Sequence, residues 1–518
     1  MIELYDTTLR DGTQQEGISL TVADKLAVAQ IIDSLGFTWI EGGWPGANPK
    51  DTEFFAAVAN GDIQLNHAGL VAFGMTRRPG IQAANDDLLN ALLEAKTEAI
   101  TLVGKSDIKH VIEAIGTTAQ ENIDMVASSV AYLVGEGRRV LLDAEHFFDG
   151  YHRDREYALD VLSAAIEAGA AGVVLCDTNG GSLPTEIDAI VKDVRPLVGD
   201  DRILGIHAHD DTGCAVANSL LAIDAGANHV QATMNGIGER TGNANMCSIL
   251  PNLAIKQGLD VVDRDLLQHL TLSAHQVAEI MNLNLSSKAP WVGGSAFAHK
   301  AGLHASALQK NPDLYQHTDP GLVGNQLRML VSELAGRSNV LMKGDELGLD
   351  MNKETANKVL ARVKDLEHKG YSFEAADASF ELLVRRENGE QIGPFELESW
   401  RTLVEHREDG KVVAEATIKV HVNGERLIGT AEGNGPVDAL DHAFRVAVGQ
   451  RIDLSHLALT DYKVRIIDPA SATQAITRVS IDATDGAREF TTVGVGTNII
   501  EASWQALVDT YEFHHLAS

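Results

Sequence analysis

His207 and His209 stand two residues apart at the end of an apolar run, ILGIHAH, so in a strand both imidazoles project from one face. That spacing suits two ligands of one metal ion, although polar groups at a strand end are often just solvated or hydrogen-bonded. Asp11 in DTTLRDG and Asn243 in GERTGN add a carboxylate and an amide oxygen. Two imidazoles, a carboxylate and an amide, with no thiolate, favour a hard octahedral divalent ion, Mg²⁺ or Mn²⁺, over structural zinc, while a Zn²⁺ ion remains chemically admissible. Either Asp11 or Asn243 standing alone would be read as loop capping and turn chemistry.

Other groups lie close in sequence to these. Arg10 could point its guanidinium at a developing oxyanion, or pair with Asp11 or Glu239. Glu145, at the end of RVLLDAE, is placed for acid/base work or for holding a histidine, and Asp143 two residues earlier is a candidate contact in the pocket wall. Thr178 in DTNGG could hydrogen-bond a carboxylate or cap the next helix. The segment HKAGLHASALQKNPDLY contributes His299, His304 and Tyr315, with two histidines close together beside a glycine. Gly-rich turns near Gly433 and Gly494 could cradle an anion, but neither is a P-loop or a dinucleotide fingerprint, and turn formation is the simpler use.

The elements that must carry these side chains repeat. From residue 1 to about 260 a short apolar run, a polar Gly-rich loop and an Ala/Leu-rich stretch of helical period recur eight times. The strand candidates are 2–6, 39–43, 66–73, 99–104, 139–145, 172–177, 203–209 and 229–234. Eight alternations over that length predict a (β/α)8 barrel, with an open doubly wound sheet as the alternative. DTTLRDG, EGGWPG, AEHFFDG, DTNGG, HAHDD and NGIGERTGN each follow a strand end, which is the active face of such a barrel. Closure makes strands one, seven and eight neighbours, so Asp11, His207, His209 and Asn243 can converge.

The barrel is assigned to residues 1–264. Residues 265–370 read as a helical linker, with LLQHLTLSAHQVAEIMN and ETANKVLARVKDLEHKG as helices, and composition shifts again near Tyr371. Residues 371–518 read as an α+β domain built twice. VVAEATIKVHVNGERLIGTAEG and ITRVSIDATDGAREFTTVGVG are strand pairs, each followed by a helix, and Asn423-Gly424 marks a hairpin turn.

Of 518 residues, 44% are hydrophobic and 22% charged, which is ordinary for a globular protein. Lys and Arg number 42 against 73 Asp and Glu, a net charge of −31, which disfavours nucleic acid and anionic membranes as partners. Three scattered cysteines exclude a disulfide framework, and the start carries no apolar leader, so a cytoplasmic location is expected.

Together, DTTLRDG, HAHDD, GERTGN and GLHASALQKNPDLY resemble the metal-dependent 2-oxoacid:acetyl-CoA condensing enzymes, among them isopropylmalate, homocitrate and citramalate synthases. LYDTTLRDGTQ, IEGGWPGANPKD, DAEHFFDGY and NIIEASWQALVD look most like the bacterial citramalate branch, and the resemblance covers nearly the whole chain. It implies Asp11, His207, His209 and Asn243 as metal ligands, Arg10 as electrophilic partner and Thr178 as a contact to the substrate carboxylate. It further implies His304 and Tyr315, on the linker of a second subunit, as catalytic groups, with Glu145 supporting the base. The reaction implied is condensation of pyruvate with acetyl-CoA followed by thioester hydrolysis. A folded monomer should then be inactive. The last domain resembles the LeuA-type dimerisation and allosteric domain, which implies a homodimer or larger homo-oligomer and isoleucine as effector. The rivals are 2-oxoisovalerate or 2-oxoglutarate as substrate, an acyl-CoA lyase of the same superfamily, and a noncatalytic amino-acid sensor.

Overall fold

The computed structural model describes residues 2–308, 310–332, 335–449, 451–467 and 474–517. Gln309, inside the GLHASALQKNPDLY segment, lies outside them. The chain divides into two units, Met1–Phe297 with Asp319–Gln326, and Ala298–Thr318 with Leu327–Ser518.

In the first unit eight parallel strands close into a barrel: β1 (Glu3–Asp6), β2 (Trp39–Gly43), β3 (Gly69–Met75), β4 (Ala99–Lys105), β5 (Arg139–Glu145), β6 (Gly172–Asp177), β7 (Ile203–Ala208) and β8 (His229–Ala232). β8 pairs with β1 from Glu3↔His229 to Asp6↔Ala232, which rules out the open sheet. Strand alternation sorts the side chains. Tyr5, Trp39, Val71, Ala99, Leu141 and Ile203 pack together as one buried cluster, while Leu4, Ile40, Ala72, Ile100, Leu142 and Leu204 join the larger core that includes the helices. Helix ends follow local chemistry: Thr21 and Asp24 form a capping box on Val22–Asp33, and Asn48 caps Pro49–Asn60 with proline in its first turn.

Several strand ends differ from expectation, β8 for instance stopping at Ala232 rather than 234, and two of the shifts have a clear physical reason. Expected over 66–73, β3 begins at Gly69 because the backbone N–H groups of Asn66, His67 and Ala68 donate to the Asp33 carboxylate instead of to a ladder. β7 stops before His209, which instead forms an isolated antiparallel bridge with Asn243.

In the second unit β9 (Ala298–His299) pairs in parallel with β10 (Arg328–Met329), and helices follow at Arg337–Glu346, Lys353–His368 and Asp377–Glu387. Then come two copies of one module. The first is β11 (Phe395–His406), β12 (Val412–Val422), β13 (Glu425–Gly433) and helix Pro436–Val448. The second is β14 (Ala458–Ile466), β15 (Thr477–Thr484), β16 (Glu489–Gly496) and helix Ile499–Ala517. Each sheet is antiparallel and three-stranded, and the two modules share a core in which Ile418, Phe444, Ile481 and Trp504 are buried. Asn423 and Gly424 both adopt positive φ, 50° and 82°, as a two-residue hairpin turn requires. β11 and β14 escaped the sequence reading because nearly every side chain on them is exposed, so neither shows an apolar face. Gly433 and Gly494 are not turn residues as expected. They lie in β13 and β16, where a Cβ would overlap the backbone of Ala439 or Ala502 in the helix packed above. Among the described residues no helix is long and apolar enough to cross a membrane, and the three cysteines are free.

Candidate active site

The turn after β1 presents two charges side by side. Asp6 accepts hydrogen bonds from the Thr8 N–H and hydroxyl, each at 2.9 Å, and the Thr7 carbonyl accepts from the N–H groups of Arg10 and Gly12. Arg10 then donates Nη1–H to Asp11 at 2.9 Å and Nε–H to Glu41 at 2.6 Å, with its guanidinium 3.8 Å from the centre of the Phe73 ring. Glu41, fully buried, also accepts from the Tyr5 hydroxyl at 2.5 Å and from Thr7. Of the two pairings open to Arg10 from sequence, Asp11 is realised. Glu239 instead lies 4.0 Å from Arg240, and Glu41 takes the place expected for it.

Asp11, His207 and His209 converge in the same place. His207 Nε2 lies 3.2 Å and His209 Nε2 3.6 Å from Asp11 Oδ2, and the two imidazole nitrogens are 3.4 Å apart. These three can hold a metal ion. Asp11 Oδ2 and Asn243 Oδ1 are buried without hydrogen-bond partners, while Asn243 Nδ2 donates to the Ile237 carbonyl at 3.2 Å. A carboxylate oxygen that meets two imidazole nitrogens at the wall of a cavity is a donor set that fits a cation.

Burial opposes ionisation of Asp11, yet Arg10 and the two histidines outweigh it and hold the carboxyl well below the usual carboxylate range. Burial would also depress Arg10, but Glu41 and Asp11 raise it further. His207 is desolvated too, and Asp11 reverses that effect to raise its pKa, whereas burial and the neighbouring His207 push His209 down to about 4. Burial, with the charge of Glu41, pushes Asp143 up to about 7.

A cavity of about 230 Å³ opens here, lined among others by Arg10, Asp11, Glu145, Thr178, His207 and His209, six of the residues singled out in the sequence. Phe73, Met75 and Val103 supply apolar wall, and Asp143 is confirmed as a lining group. Glu145 pairs with Lys105, so its nearest charged partner is a lysine. Thr178 Oγ1 accepts from the His146 N–H at 2.8 Å; the following helix begins at Pro184 after Leu183, so Thr178 does not cap it. His304 and Tyr315 belong to the second unit, where their rings stack 4.0 Å apart, with His299 5.9 Å from His304.

The sequence reading missed Glu41, Lys105 and Gln231. The available signal was parity: Glu41 follows inward Trp39 by two, and Gln231 sits opposite His207 in the β7–β8 ladder, so each is a polar residue at an inward position of an apolar strand.

The HMGL-like family matches residues 1–283, a homocitrate synthase post-HMGL domain-like family residues 291–371, and the LeuA allosteric (dimerisation) domain residues 374–514. The (R)-citramalate synthase of Streptomyces coelicolor is 55% identical over 98% of this chain and 96% of its own, and that of Synechocystis 49% over 98% and 95%. A probable 2-isopropylmalate synthase of Methanopyrus kandleri is 30% identical over 98% of this chain and 97% of its own.

Proposed function

Since the chain belongs to the HMGL-like family and, within it, to the group of (R)-citramalate synthases, we propose that it condenses pyruvate with acetyl-CoA and hydrolyses the thioester to give citramalate and CoA. The observation that carries this is the convergence of Asp11, His207 and His209 beside Arg10 at the mouth of a closed barrel. Asp11, His207, His209 and Asn243 would hold a divalent ion, Mg²⁺ or Mn²⁺ by their oxygen and imidazole chemistry, and such an ion supplies Lewis-acid polarisation of a 2-oxo group.

The chain's own groups do the rest. Arg10, braced by Glu41 and Phe73, offers a fixed cation to the alkoxide that develops at the former ketone oxygen. Thr178 hydrogen-bonds the substrate carboxylate, and Phe73, Met75 and Val103 leave an apolar wall suited to a methyl group. His304, supplied from the linker of a second subunit with Tyr315 stacked on it, takes a proton from the acetyl methyl carbon, and Glu145 supports that base. The carbanion adds to C2 of pyruvate, forming the new C–C bond, and water then cleaves the thioester to release CoA. The LeuA-type domain pairs two chains and takes isoleucine as effector, by preferring one of two states of the enzyme. Residues 1–264, 265–370 and 371–518 carry the catalytic, linking and regulatory roles, in a cytoplasmic enzyme.

Thiol release from acetyl-CoA tests this, with pyruvate, 2-oxoisovalerate and 2-oxoglutarate compared in Mg²⁺, Mn²⁺ and chelator. Chelator-sensitive release that prefers pyruvate is expected. Preference for another oxoacid would replace the substrate, and no release with any of them would end the synthase reading.

A further inference from the structure

Of the two imidazoles that meet at Asp11, only His207 has its far nitrogen held. His207 Nδ1 lies 2.8 Å from Gln231 Oε1, and Gln231 Nε2 donates to Asp143 Oδ1 at 2.9 Å. His209 Nδ1, by contrast, is buried with no hydrogen-bond partner. Register explains the first contact, because His207 and Gln231 are direct partners across β7 and β8, and closure of the barrel brings Asp143 on β5 within reach.

An amide accepts at one end and donates at the other, so what it meets on one side decides what it offers on the other. Asp143 Oδ1 accepts from Gln231 Nε2 at one end of that amide. The Gln231 N–H therefore turns to Asp143 and its carbonyl turns to the histidine. An imidazole nitrogen facing a carbonyl oxygen must carry the proton, which leaves the lone pair on Nε2. Nε2 is the atom 3.2 Å from Asp11 Oδ2 and 3.4 Å from His209 Nε2. Asp143, Gln231 and His207 are 3%, 1% and 5% exposed, so the relay lies inside the barrel.

We propose that Asp143 and Gln231 are positioning residues that lock His207 in the Nδ1–H tautomer, aiming its Nε2 lone pair at a divalent cation shared with Asp11 and His209. This rests on the assignment of those three residues as metal ligands. It makes the two histidines unequal, His207 having its Nδ1 held by Gln231 and His209 Nδ1 having no such partner.

The test is calorimetric titration of Mn²⁺ into the metal-stripped full-length protein, which reads the site without turnover. Gln231→Met keeps the length and removes the acceptor, and should weaken Mn²⁺ binding about 10- to 100-fold, the usual effect of losing a partner behind a ligand. Asp143→Ala frees the amide to turn and should weaken binding in the same direction. Gln231→Glu combined with Asp143→Asn reverses the chemistry of the pair but keeps an acceptor against His207 Nδ1. It should restore affinity to within about threefold of the parent, a rescue that a merely space-filling role would not predict. Unchanged affinity in Gln231→Met or Asp143→Ala, or no rescue in the double variant, overturns the proposal. His207→Ala separates the two levels. If it binds Mn²⁺ like the parent, the metal site itself fails; if it loses Mn²⁺ while Gln231→Met does not, only the relay fails.

Discussion

At the barrel mouth Asp11, Glu41, Asp143, His207 and His209 are all at most 5% exposed, whereas in the C-terminal sheets strand alternation turns Glu415, Lys419, Arg478 and Asp482 away from the buried core. Both regions are built from alternating strands, yet only one places charge on the inward side. Buried ion pairs such as Arg10 with Asp11 and Glu41 add little net stability, because the desolvation cost offsets the attraction. Their concentration at one end of the barrel is therefore better explained by chemistry than by folding. The Arg488–Asp485 pair, in the turn between β15 and β16, has a solvent-facing guanidinium and carries no such implication.

The same substitution made in both regions sharpens this contrast most. Arg10→Lys keeps the charge against Asp11 and Glu41 but loses the fork that spans them, and should lower kcat by about 10²- to 10³-fold, or about 3–4 kcal/mol, in a CoA-release assay. Arg488→Lys should leave turnover intact and stability within about 0.5 kcal/mol. Full activity in Arg10→Lys would break the comparison.

Acidity should differ in sign between the two regions. Burial, aided by Glu41 and opposed by the Thr8 hydrogen bonds, pushes Asp6 at the end of β1 up to about 7, while the hydrogen bond from Arg488 pulls Asp485 down to about 2. A raised carboxyl binds its proton more tightly in the folded state. Its stabilisation is thus fully present below the unfolded value near 4 and is lost as pH rises through about 7, by about 1.4 kcal/mol per unit at the steepest. Asp485 contributes the opposite way, above about 4, and loses its contribution as pH falls through about 2. Urea midpoints measured from pH 3 to 8 should show that Asp6→Asn flattens the fall between pH 4 and 7, whereas Asp485→Asn alters the pH slope only on the acid limb. Equal slopes for Asp6→Asn and the parent would remove the contrast.

The C-terminal modules depend on backbone proximity instead. A methyl added by Gly494→Ala meets the Ala502 carbonyl, so the variant should lose about 1–3 kcal/mol, seen as faster hydrogen exchange in β16 and the helix Ile499–Ala517. Mn²⁺ affinity should not change. A shift in metal binding of tenfold or more would show that the two regions are not independent.

Much of this was legible in the chain. β5 and β6 were read to the residue, and His207, His209, Asp11, Arg10, Glu145 and Thr178 were found because motif-bearing loops follow strand ends. β11 and β14 were not, since an exposed strand has no apolar side to mark its period. Glu41 was missed although it is fully buried, because a carboxylate inside WIEGG looks like solvent-facing polarity until its partners are known.

Local sequence, by itself, determined the eightfold alternation of strand and helix, the Asn423-Gly424 turn and the donor types available at the strand ends, because period, turn chemistry and side-chain chemistry act over a few residues. Only the tertiary structure decided which of those donors meet. Arg10 finds Glu41 across 31 residues and Gln231 finds Asp143 across 88, contacts that exist only once β8 pairs with β1 and the inward faces of distant strands share one interior.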